Sequence, residues 1–196
     1  SSQTERLVGR STVMNQLRQQ VERIAPTNAR IMIAGASGCG KETTARAIHA
    51  ASARASGPFV VINAATITPE RMEEALFGVE AGDDRIRRSG ALEEAHGGTL
   101  FIDEIADMPR ETQGKILRVL VDQNFQRVGG ATRVFVDVRI VSSTSRNLED
   151  EIAAGRFRED LYHRLAVVPL RVPMLSERRD DIPELIEAIK PFKFLL

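Results

Sequence analysis

The residues Gly35-Ala36-Ser37-Gly38-Cys39-Gly40-Lys41 directly follow the apolar run Ile31–Ala34 and directly precede the helix-like segment Glu42–Ile48. A strand that feeds a glycine-rich turn and then a helix N-terminus aims several backbone N–H groups at one point, which suits an anion of polyphosphate charge. The glycines let the backbone approach phosphates closely, and Lys41 supplies positive charge for the terminal ones. Gly35, Ser37, Gly38, Cys39, Gly40 and Lys41 therefore read as the cradle of a nucleotide. Loops of this kind usually continue with Ser or Thr, whose hydroxyl ligates magnesium, but here Glu42 follows Lys41. An inward carboxylate would repel phosphates, so Glu42 is expected to face away, with Thr43 the nearest hydroxyl. The bland alternative is an ordinary glycine turn between strand and helix.

A second signal is Gly97-Gly98-Thr99-Leu100-Phe101-Ile102-Asp103-Glu104. An apolar run ending in two acids places Asp103 at the carboxyl end of a buried strand, where open α/β sheets bind their ligands. Magnesium takes oxygen ligands, commonly one or two carboxylates together with substrate phosphates and water, so Asp103 is the expected magnesium-side residue. Glu104, one step further, suits a general base that polarises water attacking a terminal phosphate. The competing reading is a solvated turn.

These groups need a frame, and the rest of the chain supplies one. Apolar or β-branched runs at Ile31–Ala34, Phe59–Ile62, Thr99–Ile102, Val138–Ser142 and Val167–Arg171 alternate with helix-like segments, which predicts a parallel sheet between helices. Val128-Gly129-Gly130-Ala131 sits between two alternating runs, so Phe125–Val136 reads as a hairpin. The 196 residues suit a single α/β unit, 42% apolar content is enough for a packed interior, and no run approaches transmembrane length. Lys plus Arg equals Asp plus Glu at 27 each, so the net field gives no hint of a DNA-wrapping surface. A single cysteine excludes an internal disulfide, and no secretory signal is visible, so a cytoplasmic protein without membrane contact is expected. His49, His96 and His163 share no ligand spacing and read as structural; Arg178-Arg179-Asp180-Asp181 reads as a self-paired surface turn.

Gly35–Glu42, Glu74-Ala75-Leu76-Phe77-Gly78, Gly97–Ile105 and Gly155-Arg156-Phe157-Arg158-Glu159-Asp160-Leu161-Tyr162-His163-Arg164-Leu165 together resemble the AAA+ central domain of bacterial enhancer-binding proteins, the NtrC-type activators of sigma-54 RNA polymerase. The resemblance runs from about Leu7 to Ile182, and Ala95–Leu148 looks closest to the NtrX branch of nitrogen-linked two-component regulators. It implies a P-loop AAA+ three-layer αβα sandwich with a parallel five-stranded sheet over residues 1–182, with 183–196 the start of a truncated lid or a tail. ATP or ADP and Mg2+ are the implied cofactors. In that family Glu commonly follows the phosphate-loop lysine, and one side of the adenine pocket lies near Val8-Gly9-Arg10.

Further roles follow from the resemblance alone. Asn63 matches the Asn that hydrogen-bonds the catalytic Glu, the alternative being a strand-end turn bond. Thr144 matches the first sensor position, where the family usually has Asn next and this chain has Ser145. Arg158 and Arg164 match arginine fingers that reach into a neighbouring subunit's site and make hydrolysis depend on a ring or dimer; either could instead pair with Glu159 or Asp160 on a helix surface. Typical members carry a G-A-F-T-G-A loop that contacts the sigma factor, but Val79–Ser89 is shorter and charged, with no Phe or Thr, so sigma-54 contact is not expected. A plain solvated loop is the simplest reading of that segment. No receiver domain for a histidine kinase and no DNA-binding domain is recognisable, so a fragment of a longer regulator is expected.

Two functional classes remain open at this stage. One is a ring-forming ATPase module; the other is a nucleotide-dependent assembly switch that hydrolyses little. A small-molecule kinase lacks a visible acceptor-binding lid.

Overall fold

The computed structural model describes residues 7–193; residues 1–6 of the expected core and 194–196 of the expected tail lie outside the described residues. Helix α1 (Thr12–Ile24) starts at Ser11, whose hydroxyl accepts a hydrogen bond from the Met14 amide, and its Met14, Leu17 and Val21 recur at helical spacing on the buried side. The chain then alternates β1 (Ile31–Ala34), α2 (Lys41–Ala50), β2 (Phe59–Asn63), α3 (Pro69–Phe77), α4 (Ala91–Glu94) and β3 (Thr99–Asp103). A short 3-10 turn leads into α5 (Arg110–Asp122), the hairpin β4 (Asn124–Gln126) and β5 (Arg133–Phe135), and then β6 (Arg139–Thr144). Helices α6 (Leu148–Ala153) and α7 (Glu159–Leu165), strand β7 (Val168–Arg171) and α8 (Ile182–Lys193) complete the described chain.

Five strands form one parallel sheet in the order β2-β3-β6-β1-β7. Alternate residues feed two separate cores, as a sheet covered on both faces requires. Leu100, Ile102 and Ile140 pack with Met72, Leu76, Ile116, Leu161 and Leu165. Ile31, Ile33, Phe101 and Val141 pack with Met14, Leu17 and Ile48. The order matters for function because β1, β6 and β3 are consecutive neighbours, so their carboxyl ends open onto one crevice. No described helix is long and apolar enough to cross a membrane.

At the opposite edge of the sheet, Arg139 is 2% exposed and donates to the carbonyls of Ile24, Ala25 and Ala29 at 3.0, 2.8 and 3.0 Å. Arg30 donates to the Leu120 carbonyl at 2.9 Å. Arg139 thereby ties the end of α1 and the loop after it to the start of β6, and Arg30 ties the last turn of α5 to the start of β1.

The segment between α3 and α4 departs from the solvated loop expected of it. Val79 is 3% exposed and bridges both Arg88 and Val128 of the hairpin turn. Glu80 pairs with Arg127 at 3.0 Å, and Arg127 also grips Glu93 of α4 through two bonds of 2.7 and 3.0 Å. The reason is a buried cation that needs two carboxylates, one of which lies in this segment. The tip is different: Gly82 and Arg85 close a tight turn, and Ile86 is 86% exposed.

Candidate functional site

After β1 the backbone turns through Gly38 (φ +76°) and Gly40 (φ +100°), left-handed conformations that favour glycine. A Cβ placed on either would meet nothing within 4 Å, so open space for a ligand lies in front of the turn. Lys41 opens α2 and is 6% exposed, with its Nζ 2.7 Å from the Gly35 carbonyl, 3.1 Å from that of Ala36 and 3.2 Å from Glu104 Oε1. Ser37 is exposed and Cys39 half-buried; burial pushes the Cys39 thiol up, and the nearby Lys41 charge offsets this in part. Glu42 is exposed and pairs with Arg46 one turn along the helix, while Thr43 is half-buried and Thr44 donates to the Gly40 carbonyl at 2.9 Å.

Asp103 ends β3, and Glu104 turns off the strand with φ 53° and ψ 54°, an uncommon conformation for a residue with a Cβ. Ser143 of β6 braces both acids. Its hydroxyl donates to Asp103 Oδ1 at 2.5 Å and accepts from the Glu104 amide at 3.1 Å. Glu104 Oε2 accepts from the Ser145 amide at 3.1 Å and from the Ser145 hydroxyl at 2.8 Å. Burial pushes the Glu104 carboxyl up, but the Ser145 and Lys41 contacts outweigh it and hold the group below the ordinary range. Asp103 offers hard oxygen donors beside the open phosphate loop, and no group of three or more His, Cys, Asp or Glu among the described residues forms a protein-built cage. That donor set fits magnesium, which is held mainly by substrate oxygens and water.

Several sequence-derived positions take other partners. Asn63 does not meet Glu104: its amide donates to Asp103 Oδ2 at 3.4 Å and its carbonyl oxygen accepts from the Ala65 amide at 2.9 Å, because β2 pairs with β3 in the register Asn63 to Asp103. Thr144 is 3% exposed and spends its hydroxyl on the backbone of Arg146, so Ser145 is the residue that faces the acid. Arg158 pairs with Asp160 at 2.9 Å in its own chain. Arg164 is exposed, and among the described residues no carboxylate pairs with it.

The Arg178–Asp181 segment is self-paired as expected, Arg178 with Asp181 at 3.0 Å, but of its residues only Arg179 and Asp180 lie at the surface. Asp181 is 0% and Arg178 8% exposed. Asp181 accepts from the amides of Arg10 and Ser11 at 2.8 and 2.9 Å, and the Arg178 guanidinium donates to the Val8 carbonyl. Gly9 has φ +128°, and a Cβ there would lie 2.4 Å from Asp181 Cγ. Val8 and Gly9 are thus held in place by residues near the other end of the described chain, and local sequence carries no signal for that.

The family described as the sigma-54 interaction domain matches residues 7–171. The nitrogen assimilation regulatory protein NtrX of Azorhizobium caulinodans is 70% identical over 95% of this chain and 41% of its own length. Structures of NtrX from Brucella abortus in complex with ADP and with ATP match at TM-scores of 0.90 and 0.88, with 68% and 69% identity. They cover 94% and 93% of this chain, and 41% and 40% of their own. The P-loop NTPase domain of a sigma-54 transport activator from E. coli, 23% identical with a TM-score of 0.59 over 86% of this chain and 99% of its own, shares the fold. The chain spans about two-fifths of the length of the curated relatives it matches. With an α/β architecture of five parallel strands and a phosphate loop at the crevice they open onto, this chain belongs to the sigma-54 interaction domain family.

Proposed function

We propose that this chain is the ATP-binding and ATP-hydrolysing module of an NtrX-like two-component transcriptional regulator. The observation that carries the reading is the convergence of Lys41, Asp103 and Glu104 at the carboxyl ends of β1 and β3, on either side of β6. The ATP and ADP complexes of the Brucella relative support the same ligand here. Gly35–Lys41 takes the phosphates, with Val8, Gly9 and Thr144 around the nucleotide. Asp103, with phosphate oxygens and water, would hold magnesium, which when bound neutralises phosphate charge. Glu104 accepts a proton from water as the water oxygen bonds to the γ-phosphorus and the bond to the ADP oxygen breaks, leaving ADP and inorganic phosphate. Glu104 must leave Lys41 to do this.

An exposed Arg164 that pairs with no carboxylate among the described residues supports its reaching a second copy's site, completing it in a ring or dimer; Arg158 would first have to leave Asp160. In this reading the described residues up to 182 form the core, α8 opens the lid, and kinase and DNA contacts belong to other domains of a cytoplasmic regulator. The Gly82-Asp83-Asp84-Arg85 turn replaces an apolar contact loop, so sigma-54 is not engaged; nucleotide-dependent co-elution with sigma-54 on a sizing column would overturn that point.

ATP turnover per chain, measured against protein concentration with Glu104→Gln as the blank, tests the whole. A rate that rises with concentration supports a site completed between subunits. A rate flat at the blank, with nucleotide still bound, favours a binding switch that controls assembly and DNA binding with little hydrolysis. The observation in favour of that second reading is Glu104 itself, held at both oxygens by Lys41 and Ser145.

A further inference from the structure

We propose that Ser145 anchors Glu104 as a latch across the phosphate loop, so that nucleotide must displace this carboxylate to reach Lys41. The proposal rests on the nucleotide-site reading above.

Glu104 spans two elements. One carboxylate oxygen accepts both the amide and the hydroxyl of Ser145, at 3.1 and 2.8 Å, while the other lies 3.2 Å from Lys41 Nζ. The base of the side chain is fixed as well, because the Glu104 amide is tied to Ser143 at 3.1 Å. A lysine ammonium has three N–H donors. Lys41 faces three acceptors, the carbonyls of Gly35 and Ala36 and the carboxylate of Glu104. A phosphate reaches this ammonium by displacing one of them. The two carbonyls belong to the loop backbone, whereas the carboxylate sits on a side chain that can swing and carries the same sign of charge as the phosphate. Glu104 is therefore the group that an incoming nucleotide displaces, and whatever holds Glu104 in place opposes binding.

Asn63 does not share this task, since its amide is bonded to Asp103 and its carbonyl oxygen to the Ala65 amide. Among the described residues, Ser145 is the restraint on the Glu104 carboxylate besides Lys41 itself. It acts through Glu104 and is a positioning residue. Its side chain is exposed, so truncation leaves the core untouched.

Magnesium-free ADP, titrated into the protein by calorimetry at fixed pH and salt, reads the latch without any turnover. Removing the Ser145 hydroxyl deletes one of two anchoring bonds, so Ser145→Ala is expected to bind ADP about fivefold more tightly. Ser145→Thr keeps the hydroxyl and is expected to match the unaltered protein. Glu104→Gln removes the ion pair with Lys41 and is expected to bind more tightly too, with the double variant no tighter than Glu104→Gln alone. Equal affinity of Ser145→Ala and the unaltered protein overturns the latch, as does a double variant whose effects add. A lowered melting temperature of Ser145→Ala with unchanged affinity overturns it as well, leaving a merely structural turn. Lys41→Ala separates the two levels: loss of ADP binding there upholds the nucleotide site whatever Ser145 does, whereas no ADP binding by the unaltered protein sinks both.

Discussion

Ser11 donates its hydroxyl to Asp181 Oδ2 at 2.5 Å, across 170 residues of chain. The contact joins the start of α1 to the turn before α8. Because Arg178 is bonded both to Asp181 and to the Val8 carbonyl, it also fixes the strip beside the proposed adenine pocket.

Breaking this cluster leaves an unpaired buried cation, which in comparable cases costs about 3 kcal/mol or more. Asp181→Ala is expected to lose about that much in urea unfolding and to weaken nucleotide affinity through the displaced Val8-Gly9 backbone. Unfolding midpoints within experimental error of the unaltered protein would contradict the role assigned to Asp181.

The same residue sets an acid dependence. Burial pushes the Asp181 carboxyl up, but hydrogen bonds from Ser11, Arg178 and Arg10 reverse this and hold it below the ordinary range. A carboxyl depressed in the folded state stabilises it fully above the unfolded value of about 4, and this contribution drains away as pH falls through the folded value. Asp181→Asn is expected to flatten stability against pH in that acid window relative to the unaltered protein. Parallel curves would show that another carboxylate governs the loss.

Ser142 sits fully buried in β6, between Met32 of β1 and Ile102 of β3, and its hydroxyl has no hydrogen-bond partner among the described residues. An unpaired buried hydroxyl carries its desolvation penalty without return, so Ser142→Ala is expected to stabilise by roughly 1 kcal/mol. Thermal unfolding checks this, and a drop in melting temperature would mean that the hydroxyl has a use.

Arg164→Ala is expected to lower ATP turnover on the order of a thousandfold, the scale on which a fingertip arginine acts in phosphoryl transfer, while leaving nucleotide affinity intact. Mixing Arg164→Ala with Glu104→Gln is expected to restore part of the activity, since mixed assemblies contain interfaces with one intact base and one intact arginine. A mixture as inactive as its components would place Arg164 outside the site.

The sheet was readable in the sequence because parallel strands buried on both faces are continuous apolar runs, as at Ile31–Ala34 and Thr99–Ile102. Strand ends were readable where a polar residue closes the run, as at Asn63 and Asp103, but β6 runs two residues beyond the expected Ser142 to Thr144, since backbone ladders are indifferent to side-chain polarity. The phosphate loop and the hairpin were legible for a different reason, because their glycines adopt left-handed turns that few other residues allow. The partner of Glu104 was not. Asn63 stands level with Asp103 across the ladder, and it is Ser145, just beyond the end of β6, that meets the carboxylate. Asp181 was hidden because its acceptors are satisfied by backbone amides of a segment 170 residues away.

The arginines at the far edge of the sheet bear on where the molecule breathes. Arg139 and Arg30 rivet the ends of α1 and α5 to the strand starts, whereas the carboxyl edge is held by side chains that a ligand can pull apart. Amides along the riveted rim are then expected to trade hydrogen with solvent more slowly than those along the other, so that rigidity is graded across a single sheet. Filling the crevice stiffens the loose rim and leaves the riveted one as it was.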